Sequence, residues 1–210
     1  MGLFSEDSFL MRFLNLAANL VALHFIWLLY SLPIFTIGAS TTALYYSCMK
    51  LINTDRGYVF SNFHKSFKEN FRQSTCMWLG ILAVGLILFA DIRYCLYLDN
   101  SIGRVMLVGC SILLIPFLLT VLYIFPVQAT FENRIVDNLK NAFLLSFSHF
   151  PFSLLLIVIL GTVVFLGLFF RPFMGLMIIV GAGLTGYLTS NIFVVVFRRY
   201  LPEDVTTNQF

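Results

Sequence analysis

An all-α, polytopic membrane bundle is the fold class this sequence predicts, and three observations predict it. The chain of 210 residues is 60% hydrophobic and only 11% charged, whereas soluble domains hold about 45–50% apolar and about 25% charged residues. Apolar blocks close to the roughly 20 residues needed to cross a bilayer recur along its length. Lys and Arg gather in alternate connectors, the bias that orients membrane proteins. With 24 phenylalanines, lipid is a simpler solvent for this chain than one water-soluble core. Residues 1–210 read as a single integral membrane domain of about six spans, with five as the alternative. Two cytoplasmic amphipathic helices are expected in the connectors 53–75 and 128–150.

The segment Met1 to Ser8 carries Glu6 and Asp7 and lacks the basic region and small-residue cleavage site of a removable signal peptide. The first apolar block, Phe13 to Leu32, is therefore read as a retained span, interrupted by Asn15, Asn19 and His24. Pro33 breaks it. The stretch Ile34 to Ile52 follows, and Thr36, Gly38, Ser40, Thr41 and Thr42 make its first half small and polar. Small residues let helices approach closely, so this segment is expected to pack inside the bundle, with a re-entrant segment as the alternative.

The run from Phe60 to Arg72 is the most informative connector. At helical spacing Phe60, Phe63, Phe67 and Phe71 form one stripe, and Lys65, Lys68, Arg72 and Glu69 lie opposite. Aromatics below and bases above suit an anionic bilayer surface or a groove between membrane helices. These seven phenylalanines and bases are the candidate lipid or partner contacts. The third span is Cys76 to Leu98, with Asp91 and Arg93 near its far end. The fourth runs from Val105 to Phe125, with Pro116 inside and Pro126 at its exit. In the second amphipathic connector Phe131, Ile135, Leu139, Ala142 and Ser146 define one face, and Arg134, Asp137, Asn141 and Ser148 the other. The fifth span is Phe152 to Phe170. The sixth is Phe173 to Phe197, where Gly175, Gly181, Gly183 and Gly186 again favour close helix contact.

Lys50, Arg56, Lys65, Lys68 and Arg72 follow the second block, Arg134 and Lys140 the fourth, and Arg198 and Arg199 the sixth. The opposite side receives Arg93, Arg104 and Arg171. Positive residues stay inside, so both termini are expected in the cytoplasm. An internal echo accompanies this plan. Thr42-Ala43-Leu44-Tyr45 and Thr120-Val121-Leu122-Tyr123 each precede an amphipathic stretch, and Lys68-Glu69-Asn70-Phe71 parallels Lys140-Asn141-Ala142-Phe143. A true repeat and a chance match in an apolar sequence both account for it.

Ionisable groups within a membrane are functional candidates by default. Asp91 cannot face Arg93, two residues on; it either marks where the helix leaves the hydrocarbon or pairs with Arg104 or Arg171. Glu132 lies on the less polar side of its connector and needs a cationic or hydrogen-bonding partner. A structural ion pair is the expectation for Glu132 and the candidate role for Asp91, whose favoured reading is the helix exit. His24 fits a neutral, hydrogen-bonded core imidazole. Cys48, Cys76, Cys95 and Cys110 have no metal-like spacing, and with His24, His64 and His149 they form no ligand set. No cofactor, metal, catalytic group or nucleic-acid partner is expected.

Three passages resemble the YesL-like family of integral membrane proteins from Gram-positive bacteria. They are Asn70-Phe71-Arg72-Gln73-Ser74 with Asp91-Ile92-Arg93-Tyr94, then Phe125-Pro126-Val127-Gln128-Ala129-Thr130-Phe131-Glu132, then Leu139-Lys140-Asn141-Ala142-Phe143-Leu144-Leu145-Ser146. The resemblance implies a plasma-membrane location and a setting beside carbohydrate ABC importers, and it carries over no catalytic residue. Two functions follow as expectations. One is a non-enzymatic accessory or scaffold for carbohydrate ABC import, whose partners are the lipid bilayer and importer subunits. The other is a small stand-alone secondary transporter or channel, with a polar cavity lined by Asn15, Asn19, His24 and residues 36–42. No constellation supports an enzyme.

Overall fold

A computed structural model describes residues 9–54, 58–98, 100–131 and 133–200, and they are almost wholly helical. Helix α1 spans Phe9–Ser31, a single 3₁₀ turn Ile34–Thr36 follows Pro33, and α2 spans Ile37–Thr54. Then come α3 (Val59–Tyr97), α4 (Ser101–Thr130), α5 (Ile135–Ser148), α6 (Phe150–Phe169) and α7 (Arg171–Phe197). Five of these, α1, α3, α4, α6 and α7, are long and apolar enough to cross a bilayer. This is a multi-pass membrane protein.

The count is five rather than six because α2 falls short in apolarity, not because it lies outside the bundle. It sits against α1, α3, α4 and α7, and Ala39, Ser40, Thr42, Ala43, Ser47 and Cys48 are buried. Its small residues do what was expected of them. A side chain at Gly38 would meet the Ser74 carbonyl and the Trp78 Cβ, each at 2.6 Å, and Thr42 Oγ1 lies 2.9 Å from Ser74 Oγ. On α7, a Cβ at Gly183 would run into the backbone carbonyl of Leu20, so α1 and α7 touch through their main chains there. Gly186 meets Leu44 and Cys48, whereas nothing approaches Gly175.

Two boundaries differ from the sequence reading. The first amphipathic connector is not a separate helix. It is the first half of α3, a rod of 39 residues, about 58 Å long by the usual helical rise. No Gly or Pro stands between Tyr58 and Leu79 to stop it. Helix α4 likewise runs through Pro116 and Pro126 to Thr130. Inside a bundle, neighbouring groups compensate the one backbone bond that a proline removes.

Packing is concentrated at one end. Trp78 Nε1 donates to the carbonyl of Ile34 at 2.9 Å, which fixes the α1–α2 turn beside the middle of α3. Beyond Met77 only Cys95 of α3 is buried, and Leu86, Ile87, Phe89, Ile112, Leu113 and Ile115 are exposed along the α3–α4 hairpin. Such a surface belongs in lipid. The main core lies at the opposite, basic end, where Met49, Tyr123, Val127, Leu156, Phe193 and Phe197 cluster.

Candidate functional site

At that basic end a cleft of about 800 Å³ opens between α2, the first half of α3 and the end of α4. One wall carries Tyr46, Met49 and Lys50; another carries Lys65, Ser66, Lys68, Glu69, Asn70, Arg72 and Gln73. Gln128 to Phe131, with Asn133, close the third side.

The cleft rests on a chain of side-chain amides. Gln128 is the hub: its Nε2 donates to Asn70 Oδ1 and to Gln73 Oε1, both at 2.8 Å. Its Oε1 accepts from Asn138 Nδ2 at 2.6 Å. Asn70 Nδ2 donates onward to the Ser66 carbonyl at 3.1 Å. Gln128 and Asn138 are buried, so each bond replaces one that water would otherwise make. Three consecutive helices, α3, α4 and α5, are thereby locked in one register. Asn138 Oδ1 is the one atom of the hub left buried without a partner; the bonds that are made tie the helices together and rigidify what they join.

Each sequence-predicted residue now has a place. Phe63 is fully buried and packs its ring against Tyr30 at 5.4 Å. Phe67 lies 4.7 Å from the same tyrosine, centroid to centroid. Phe71 is half-buried beside Phe67, while Phe60 is exposed. The stripe therefore divides: its centre faces the bundle and Phe60 faces outward. Lys65, Lys68 and Arg72 are exposed and line the cleft. None of the three enters a hydrogen bond or ion pair among the described residues. Asp91 is exposed on the outer half of α3, remote from the cleft, and no ion pair joins it to Arg104 or Arg171 among the described residues. Glu132 lies outside the described residues.

Helix α5 is turned from its expected orientation. Asn138, Ala142, Leu145 and Ser146 are buried, and Leu139 is exposed with Val136, Phe143, Leu144 and Phe147. The bond to Gln128 draws Asn138 inward and rotates Leu139 out. Helix α5 thus has one face for the bundle, an adjoining apolar face, and a polar strip of Asp137, Lys140 and Ser148, as an interfacial helix does.

The residues assigned to a transport path are mostly occupied elsewhere. His24 Nε2 lies 2.9 Å from the Ile178 carbonyl, and the Ala182 amide donates to its Nδ1 at 3.0 Å. The imidazole thus bridges two groups that an uninterrupted helix pairs with each other. Thr36 Oγ1 donates to the Tyr30 carbonyl and Asn15 is exposed. A small space of about 300 Å³ beside His24 is walled mainly by Trp27, Leu44, Leu160, Ala182 and Gly186, with Thr41 and Thr185.

The amide hub escaped the sequence reading, although Asn70, Gln73 and Gln128 all stand in the passages that carried the resemblance. A model described as "Protein of unknown function, DUF624" matches residues 20–92, which span most of α1, all of α2 and most of α3. The chain is 32% identical over 150 residues to the uncharacterized protein YesL of Bacillus subtilis (strain 168), covering 69% of this chain and 70% of that protein. No solved structure matches it.

Proposed function

The chain belongs to the YesL-like family, and from that premise we propose that it is a non-enzymatic accessory or scaffold component of carbohydrate ABC import in the plasma membrane. In this reading its basic end faces the cytoplasm, as the bias of Lys and Arg toward that end favours. The observation that carries this reading is the amide hub at Gln128, which binds α3, α4 and α5 into a stiff basic head. A docking element needs such rigidity, because residues that are already ordered lose little entropy on binding. The carbohydrate setting comes from the family resemblance. The transporter reading gains less support, since His24, Thr36 and Thr42 spend their polar atoms on internal bonds.

Co-purification tests the proposal. The protein, expressed at native level in its own host and solubilised in a mild detergent, is expected to bring down importer permease or ATPase subunits. A Lys65→Glu/Arg72→Glu variant is expected to lose them while remaining in the membrane. Recovery of the intact protein with no importer component overturns the accessory role.

A further inference from the structure

We infer that the basic cleft is a binding site for a phosphate group carried on a small polyol, taken either from a soluble phosphorylated sugar or glycerol or from the headgroup of phosphatidylglycerol. This stands apart from the accessory role, because a ligand site needs no partner protein.

Charge, donor chemistry and size support it together. Among the described lining residues Lys65, Lys68 and Arg72 share one helix with Glu69, the one acid of the described lining. Among the described residues Lys65, Lys68 and Arg72 have no ion-pair partner, although Glu69 lies within one turn of each on the same helix. Cations gathered on one concave wall repel one another, and a bound phosphate relieves that repulsion. Arg72 adds the planar fork that grips phosphate oxygens in pairs, and the lysines add point charges.

The rest of the lining argues against a bare ion. Asn133 presents a carboxamide on the same cleft; Asn70 and Gln73 line it with carboxamides that each make internal bonds and keep a second lone pair for a ligand hydroxyl. Asn70 and Gln73 are held in place by Gln128 at 2.8 Å each, so their orientation is set before any ligand arrives. The Asn133 side chain is exposed and makes no bond among the described residues. A volume of about 800 Å³ falls in the range of small-molecule sites, roughly 300–1,000 Å³. A phosphorylated polyol sets its charge on the bases and its hydroxyls on the amides.

The test uses the full chain in nanodiscs of phosphatidylcholine, titrated calorimetrically with glucose 6-phosphate, sn-glycerol 3-phosphate, inorganic phosphate and glucose. In parallel, protein extracted from membranes rich in phosphatidylglycerol is examined by native mass spectrometry for retained lipid. A soluble ligand is expected to bind as the phosphorylated polyol, more weakly as inorganic phosphate and not as glucose. A lipid ligand is expected to survive extraction as bound phosphatidylglycerol while the soluble titrations stay silent. In either case Lys65→Gln/Arg72→Gln is expected to weaken binding about tenfold or more. Lys140→Gln, which removes a charge from the exposed strip of α5, is expected to leave binding unchanged. The inference fails if neither source binds, if glucose binds as well as its phosphate, or if the Lys140 variant loses as much as the cleft variant.

Discussion

The two halves of the molecule carry one plan in two forms. Helix α3 joins an amphipathic segment to a lipid-facing span without a break, whereas the second half divides the same plan between α5 and α6. The echo between them has a spatial side: Tyr45 and Tyr123 both meet Phe193 edge to face, at 5.6 and 5.2 Å. The inner anchors differ. In α3 the largest fully buried side chain is Phe63, whose ring needs shape and no particular bond. In α5 it is Asn138, which is held by a bond of 2.6 Å to Gln128. An aromatic plug supplies burial energy, and an amide supplies direction. Of these two segments, α3 therefore supplies more of the burial and α5 more of the register.

Removing each anchor breaks that comparison in a different way. Phe63→Ala is expected to destabilise the protein by about 3–5 kcal/mol, as truncation of a buried phenylalanine does. Phe60→Ala, on the exposed flank of the same stripe, is expected to change stability by less than about 0.5 kcal/mol. Equilibrium unfolding in mixed detergent with increasing dodecyl sulfate measures both. Equal losses for the two would show that the stripe acts as a unit and that Phe63 is no special plug.

Asn138→Leu comes next, at about 1–3 kcal/mol, because the Gln128 carbonyl is then left buried without a donor. Adding Gln128→Leu is expected to cost less than the sum of the two single changes, with a coupling above about 0.5 kcal/mol. The same unfolding assay gives the four corners of the cycle. Strict additivity would dissolve the hub into independent contacts, and the contrast between plug and latch would go with it.

Some of this contrast is legible in the sequence. Charge placement marks the basic end, and the small residues of 36–42 announce that α2 packs inside. The phenylalanine spacing finds the inner face of α3 but not its centre, because periodicity resolves a face and not the depth to which each residue sinks. The amide hub is illegible for a different reason. Asn70 and Gln128 stand 58 residues apart, and nothing local distinguishes a glutamine that will bind three partners from one that will face water. The orientation of α5 then goes astray for want of the hub, since apolar periodicity alone turns Leu139 inward and tertiary bonding turns it outward. The continuity of α4 through Pro126 is hidden because the sequence records the missing amide and not the neighbours that compensate it.

A further small effect bears on why one half is broken and the other is not. Pro151 stands in the first turn of α6, where its missing amide would have had no helical partner. Tertiary bonds also hold the bend. Ser153 Oγ donates to the Ser146 carbonyl at 2.7 Å, which caps the end of α5, and also lies 2.9 Å from the Tyr123 hydroxyl. His149 Nε2 meets the Tyr200 hydroxyl at 2.9 Å. These bonds do not depend on the proline ring. Pro151→Ala is therefore expected to shift stability by less than about 1 kcal/mol and to leave the bend intact. Spin labels at positions 140 and 162 read the result directly. A separation that lengthens to about 33 Å, the span of an unbroken helix over that stretch, would mean that one proline divides the two halves. An unchanged separation means that the second half is bent by what it packs against, and that its break belongs to the basic head as much as the amide hub does.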